Sequence, residues 1–346
     1  MSDGKGGAFA QNQWYVAAWS REVGRAPLAR MMCGEPVVLY RREDGVAVAL
    51  EDACPHRLLP LSMGMVEGDA IRCRYHALLL DSDGKCLEMP GGDAPNRAVC
   101  ARAYPVVERY QFVWVWIGDA ERADPSLLPD LWMNEHEDWR VGGGTYEVAC
   151  DYRLVIDNLM DLSHEATVHA SSIGQMELHD YPIDTRVLPD RVVSSRWMPG
   201  IMPPPLYRAL LGDYDGPVDR WQIINYLPPS GVVIDVGVSR VERGQTLEDH
   251  MAADVWSFVL DFITPATERT CTYFWGSARN FGIHDDAVFD HMTAQQGKVF
   301  LEDIEVLEAQ QRNIDLLPDR KLRAYGVDAG GVRARLMLDR LVQGGS

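Results

Sequence analysis

The stretch Cys54-Pro55-His56-Arg57-Leu58-Leu59-Pro60-Leu61-Ser62-Met63-Gly64-Met65-Val66-Glu67-Gly68-Asp69-Ala70-Ile71-Arg72-Cys73-Arg74-Tyr75-His76 decides the architecture. It opens with C-x-H, passes through sixteen residues and closes with C-x2-H. Each pair joins one thiol to one imidazole, and Gly64 and Gly68 let the two ligand-bearing loops fold towards each other. A [2Fe–2S] cluster with two cysteines on one iron and two histidines on the other asks for this arrangement. Neutral imidazoles in place of two thiolates remove negative charge and raise the reduction potential. The rival is a structural Cys2His2 zinc site, whose pairs usually hold one ligand type each, whereas both pairs here are mixed.

Around this stretch, from Trp14 to about Gly118, short β-rich runs alternate with turn residues. Pro36–Tyr40, Val46–Leu50, Leu78–Leu80 and Phe112–Ile117 read as strands, with turns at Glu43-Asp44-Gly45 and Asp81-Ser82-Asp83-Gly84. Residues 11–118 are therefore expected to form a small antiparallel β-domain. Residues 119–130 are polar with two prolines and read as a linker. Residues 131–346 make a second domain. Leu154–His169, Thr293–Asn313 and Val332–Val342 read as helices, and Gly231–Arg240, Val255–Ile263 and Cys271–Phe281 as strands. Strands flanked by long helices predict an α+β fold.

Composition excludes several classes of function. The 346 residues suit about two domains, and 47% hydrophobic with 24% charged residues is ordinary for a globular chain. A formal charge of −18 argues against nucleic acid and against an anionic membrane as partners. No run approaches the roughly 20 apolar residues of a membrane span. The glycine-rich first seven residues are expected to fray and lack a secretory apolar region. Seven cysteines, an odd number spread along the chain, make a poor disulfide framework and fit a reducing, cytoplasmic setting.

A second set of ligands lies in Asp157-Asn158-Leu159-Met160-Asp161-Leu162-Ser163-His164-Glu165-Ala166-Thr167-Val168-His169. His164 and His169 plus one carboxylate would complete a facial triad that leaves open positions for O2. On a regular helix the two histidines would sit roughly 140° apart, so a helix end or π-type distortion is expected between them. The zinc-protease pattern H-E-x-x-H is excluded because residue 168 is Val. Spacing does not choose the carboxylate among Glu302, Asp303 and Glu305, although a solvated helix face suits Glu302 and Glu305. Asp161, one helical turn before His164, can share its face and reach the second imidazole nitrogen. Asn158, six residues before His164, would sit off that face on a straight helix.

The two boxes together resemble the Rieske non-haem iron oxygenases, from about Trp14 to Leu341. Several blocks are similar to the oxygenase components of vanillate O-demethylases: residues 12–17, 150–154, 157–164 and 168–175, Val218-Asp219-Arg220-Trp221-Gln222, residues 261–265 and 273–281. Dicamba O-demethylase is a weaker likeness. The neighbours of the cluster ligands include no extra cysteines, so the loop disulfide of respiratory-type Rieske proteins is missing. Many family members carry Gly where this chain has Leu58 and Ala77.

The resemblance implies a Rieske domain followed by a helix-grip catalytic domain with a central antiparallel sheet, assembled as a head-to-tail homotrimer. It implies that Cys54, His56, Cys73 and His76 hold the [2Fe–2S] cluster, and that His164, His169 and Asp303 hold mononuclear Fe(II). Asp161 would bridge the cluster histidine of one subunit to the iron histidine of the next, and Asn158 would lie near the iron. The implied reaction is O2-dependent hydroxylation of an aryl methoxy group with loss of formaldehyde, converting vanillate to protocatechuate. Another aromatic acid as substrate, or ring cis-dihydroxylation, is the alternative. No G-x-G-x-x-G is present, so NAD(P)H must be oxidised on a separate flavin/iron–sulfur reductase. Arg57, Arg72 and Arg74 crowd the cluster loops; they either steer that reductase or pair with Glu67 and Asp69. The substrate pocket should be apolar with a few polar handles, with Trp221, Gln222, Tyr207 and Met202, and also Trp197, Met198 and Ile201, as candidates.

Overall fold

The computed structural model describes residues 9–96, 98–169, 176–241 and 253–344. The glycine-rich start of the chain and residues 170–175 of one family-like block lie outside them. The chain divides into two compact units: residues up to 130 together with 264–268, and residues 131–263 together with 269–346.

The first unit is all β. Strands β1 (Gln13–Trp19), β2 (Leu28–Met32), β3 (Glu35–Arg41), β4 (Ala47–Glu51) and β5 (Met65–Glu67) are followed by β6 (Ala70–Arg72), β7 (Leu79–Leu80), β8 (Cys86–Glu88), β9 (Val106–Arg109) and β10 (Phe112–Ile117). They form three antiparallel sheets in the orders β1-β10-β9, β2-β3-β4 and β5-β6-β7-β8. Every residue of β10 is buried, as its continuous apolar run requires. Gly68, at φ 57°, turns β5 into β6, and at Gly64 a Cβ would stand 2.1 Å from the Arg72 carbonyl oxygen. Both glycines thus serve the approach of the two ligand loops.

The second unit is built on a seven-stranded antiparallel sheet. Its strands are β11 (Arg140–Val148), β12 (Asp184–Val187), β13 (Val192–Ile201), β14 (Val218–Leu227), β15 (Gly231–Arg240), β16 (Val255–Thr267, whose residues from Thr264 on are counted with the first unit) and β17 (Thr270–Arg279), ordered β11-β17-β16-β15-β14-β13-β12. Helices α1 (Tyr152–Met160), α2 (Glu165–Val168), α3 (Pro205–Leu210), α4 (Asp286–Leu316) and α5 (Ala329–Val342) complete it. The 31-residue α4 packs on β11 and β17. Glycines permit that approach: a Cβ on Gly142 would meet Thr293 Oγ1 at 2.5 Å, and one on Gly297 would meet Tyr146 Oη at 2.9 Å.

Residues 154–169 are not one helix. The Asp151 carboxylate accepts the Arg153 N–H at 2.9 Å and starts α1, which ends where Asp161 turns to φ −96°, ψ 112°. There the Asp161 carboxylate accepts the Ser163 N–H at 2.7 Å, a local turn that competes with helix propagation. His164 precedes α2 and His169 follows it. The break expected between the two histidines lies instead before them, at Asp161; the four residues between them are one short helical turn that ends at His169.

Candidate metal centres and active-site cavity

The two cluster loops are built alike. The Cys54 N–H donates to the Leu59 carbonyl at 2.9 Å and the Leu58 N–H to the Cys54 carbonyl at 2.8 Å; the matching bonds in the other loop are Cys73 to Leu78 at 2.8 Å and Ala77 to Cys73 at 3.1 Å. Each loop closes through a left-handed residue, Leu58 at φ 59° and Ala77 at φ 61°. That conformation is the one glycine adopts most readily, which accounts for the glycine that the family resemblance implies at these positions. Cys54 and Cys73 are buried among Leu61, Ile71, Leu78 and Leu80. His56 is exposed and His76 half-buried, their ring centroids 4.6 Å apart. Burial pushes the Cys54 thiol up and the adjoining Cys73 adds to this, while the His56 and Arg57 N–H groups pull it down. Two adjoining thiols in the core and two neighbouring imidazoles at the rim fit a [2Fe–2S] cluster ligated two and two.

Of the nearby arginines, Arg72 is committed to structure. It bonds Glu67 at 2.7 Å and Glu88 at 2.9 Å, and it donates to the Ala77 carbonyl at 2.9 Å. Asp69 instead lies 3.9 Å from Arg42. Arg57 and Arg74 are exposed beside the ligand loops.

In the second unit, His164, His169 and Asp303 place one potential ligand atom each within 4.8 Å of one another. Asp303 Oδ1 is 3.5 Å from His164 Nε2 and 3.2 Å from His169 Nε2. Metal–ligand bonds of about 2.1 Å set cis donors roughly 3 Å apart, so the spacing suits one ion. Burial alone would lower the His169 pKa, but Asp303 first and Glu302 second turn the shift upwards. The pocket of charge therefore favours a cation. Asp303 is buried, and Asn158 Nδ2 donates to its Oδ1 at 3.2 Å. Asn158 reaches the site because α1 ends before His164, which a straight-helix projection misses. His164 is oriented by the Asp161 carbonyl, 2.7 Å from Nδ1, rather than by the Asp161 carboxylate, which is 3.9 Å away. Glu302, which suits a solvated helix face, instead places Oε2 at 2.7 Å from His169 Nδ1. Glu305 is exposed.

These ligands border a cavity of about 130 Å³. Its apolar wall includes Leu159, Ile224, Ile234, Val236, Val259 and Phe300. An apolar cavity of roughly 150 Å³ takes up benzene, so the space suits a single aromatic ring. Of the sequence candidates, Tyr207 and Gln222 line it. Trp221 does not: Arg220, Gln222 and Ile224 share the cavity-facing side of β14, and residues alternate faces along a strand. Its indole instead donates to buried Asp235 at 2.8 Å. Met202, 53% exposed just past the end of β13, is not among the lining residues. Trp197, Met198 and Ile201 do not line the cavity either, and Met198 and Ile201 pack in a core cluster with Tyr207 and Leu211. Sequence reasoning missed Glu165, a buried carboxylate that accepts from Arg220 at 2.7 Å and from Gln222 at 2.6 Å. The only sequence signal for it was an acid beside a ligand histidine.

Comparison with known proteins agrees with this geometry. The Rieske [2Fe-2S] domain model matches residues 13–107, and the vanillate O-demethylase oxygenase C-terminal domain model matches residues 148–344. A vanillate O-demethylase oxygenase subunit of Pseudomonas sp. (strain HR199 / DSM 7063) is 46% identical, covering 96% of this chain and 95% of its own. A second, from Pseudomonas sp. (strain ATCC 19151), is 48% identical over 90% of this chain and 95% of its own. A crystal structure of dicamba monooxygenase bound to 3,6-dichlorosalicylic acid superposes with TM-score 0.91 at 33% identity, covering 97% and 98% of the two chains. The chain therefore belongs to the vanillate O-demethylase oxygenase family, Rieske monooxygenases that combine a [2Fe–2S] cluster with a mononuclear iron and depend on O2 and a separate reductase.

Proposed function

We propose that the protein is the terminal oxygenase of an aromatic O-demethylase that converts vanillate to protocatechuate and formaldehyde. The observation that carries this reading is a two-histidine, one-carboxylate triad on the wall of a cavity sized for one aromatic ring. The relatives named for vanillate O-demethylation supply the substrate. We assign Cys54, His56, Cys73 and His76 to the cluster and His164, His169 and Asp303 to the iron. Residues 11–118 then form the cluster domain, 119–130 the linker and 131–346 the catalytic domain.

The overall change is Ar–O–CH3 + O2 + 2 e− + 2 H+ → Ar–O–CH2OH + H2O, after which the hemiacetal separates into the phenol and formaldehyde. The chemistry supplied at the triad, when metal is bound, is O2 activation with electrons delivered from the cluster. The chain's own residues prepare the space for it. Asn158 orients the Asp303 carboxylate, and the Asp161 carbonyl sets the His164 tautomer. Glu165 ties Arg220 and Gln222 into one buried network, so the polar edge of the cavity is rigid before substrate arrives. Gln222 and Tyr207 are the residues we assign to substrate contact, and the apolar wall excludes water around the methoxy group. Asp161, whose carboxylate is 23% exposed, is free to accept a partner subunit's cluster histidine in a head-to-tail homotrimer. We place the protein in the cytoplasm: none of the seven cysteines is joined in a disulfide, and among the described residues no helix is long and apolar enough to cross a membrane.

The test is turnover with a compatible reductase, NADH, O2 and vanillate. Formaldehyde and protocatechuate should accumulate one to one with vanillate consumed. Vanillate-dependent O2 uptake without formaldehyde would overturn the assignment.

A further inference from the structure

Two consecutive acids of α4 address the two nitrogens of one imidazole. Asp303 Oδ1 lies 3.2 Å from His169 Nε2, and Glu302 Oε2 lies 2.7 Å from His169 Nδ1. His164 is held differently: its Nδ1 is within hydrogen-bond distance of the neutral carbonyl of Asp161, at 2.7 Å, with the Asp161 carboxylate farther off at 3.9 Å. The His169 ring is 97% buried, with a side-chain exposure of 3%, whereas the Glu302 side chain is 33% exposed. Glu302 thus carries its charge at the surface while touching a ring that water does not reach. We infer that Glu302 is a positioning residue of the mononuclear iron site, fixing the His169 tautomer and making His169 the stronger of the two imidazole donors.

The physical argument has two parts. An Nδ1–H held by an acceptor leaves Nε2 as the free lone pair, aimed where Asp303 also points. A carboxylate acceptor, unlike a carbonyl, adds negative charge and raises the basicity of Nε2. Because residues 302 and 303 belong to one turn of α4, a single element sets both a ligand and the tautomer of its neighbour. A merely structural reading treats the Glu302–His169 contact as a clasp between α2 and α4, with no effect on metal affinity beyond that of misfolding.

The experiment uses the full chain loaded with cluster and iron, challenged with a coloured ferrous chelator. Cluster absorbance in the same sample reports that the protein remains folded. Glu302→Leu removes acceptor and charge, and iron affinity should fall about 10–100-fold at unchanged cluster absorbance. Glu302→Gln keeps an acceptor for Nδ1–H and removes the charge, so its affinity should lie between those of wild type and Glu302→Leu. Glu305→Gln removes the same charge three residues along the helix, from an exposed position, and should change nothing. His169→Ala sets the floor; iron retained in that variant would defeat the ligand assignment beneath this inference. Wild-type iron retention in Glu302→Leu, or equal losses in Glu302→Gln and Glu305→Gln, would overturn the role of Glu302 itself. Should Glu302→Leu lose its cluster as well, Glu302→Gln against Glu305→Gln decides the matter alone.

Discussion

At the scale of single residues, Leu58 and Ala77 hold left-handed backbone at the two cluster loops. That conformation costs a residue with a Cβ roughly 1–2 kcal/mol relative to its normal region. Leu58 is 74% exposed, so its side chain returns little packing. Leu58→Gly and Ala77→Gly should each stabilise the loops by about 1 kcal/mol, after allowing for the greater freedom of glycine in the unfolded chain. The temperature at which cluster absorbance is lost should rise in both variants; a fall in either would contradict the backbone argument. The cysteines and histidines we assign as ligands stand out in the sequence because their residue types and spacings suit that chemistry, whereas spacing does not single out Asp303. Glu302 and Glu165 were not legible either, because a lone acid next to a ligand reads the same whether it meets water, a histidine or an arginine.

At the scale of elements, the site depends on where helices stop and how closely they approach the sheet. The break at Asp161 places His164, His169 and Asn158 around Asp303, and it defeats any projection onto a continuous helix. Three strands of the second unit were legible from their apolar runs, and Gly231–Arg240 forms with the expected bounds, whereas β11 to β14 were not read from the sequence. Which face of β14 meets the cavity was not legible either, since Trp221 and Gln222 differ only in parity along the strand. Gly297 tests the approach of α4. A Cβ there would sit 2.9 Å from Tyr146 Oη and 3.0 Å from Trp275 Cζ2. Gly297→Ala should therefore cost about 1–3 kcal/mol and displace the turn that leads to Asp303. Iron per chain should fall while cluster content stays at wild-type level; full iron occupancy with unchanged stability would show that α4 does not need this approach.

At the scale of the whole molecule, electrons must enter at the cluster and leave at the iron. Arg57 and Arg74 are the exposed cations at the entry, while Arg72 is tied to Glu67 and Glu88. Charge reversal at Arg57 and Arg74 together should raise the reductase concentration needed for half-maximal turnover several-fold and weaken its dependence on salt. A variant with unchanged reductase dependence would assign the patch no steering role. Asp161→Asn tests the exit. Its amide oxygen can still accept from Ser163 and its backbone carbonyl still orients His164, so both metals should load and the reductase should still reduce the cluster. Substrate-triggered reoxidation of the cluster by O2 should nearly vanish, and a wild-type rate at full iron occupancy would rule out the bridge between subunits. The central claim, oxygen insertion into a methyl group with the aryl–oxygen bond left intact, is tested most directly by turnover of vanillate under 18O2. Both ring hydroxyl oxygens of the protocatechuate should be unlabelled, the former methoxy oxygen staying on the ring, whereas 18O in a ring hydroxyl would contradict it.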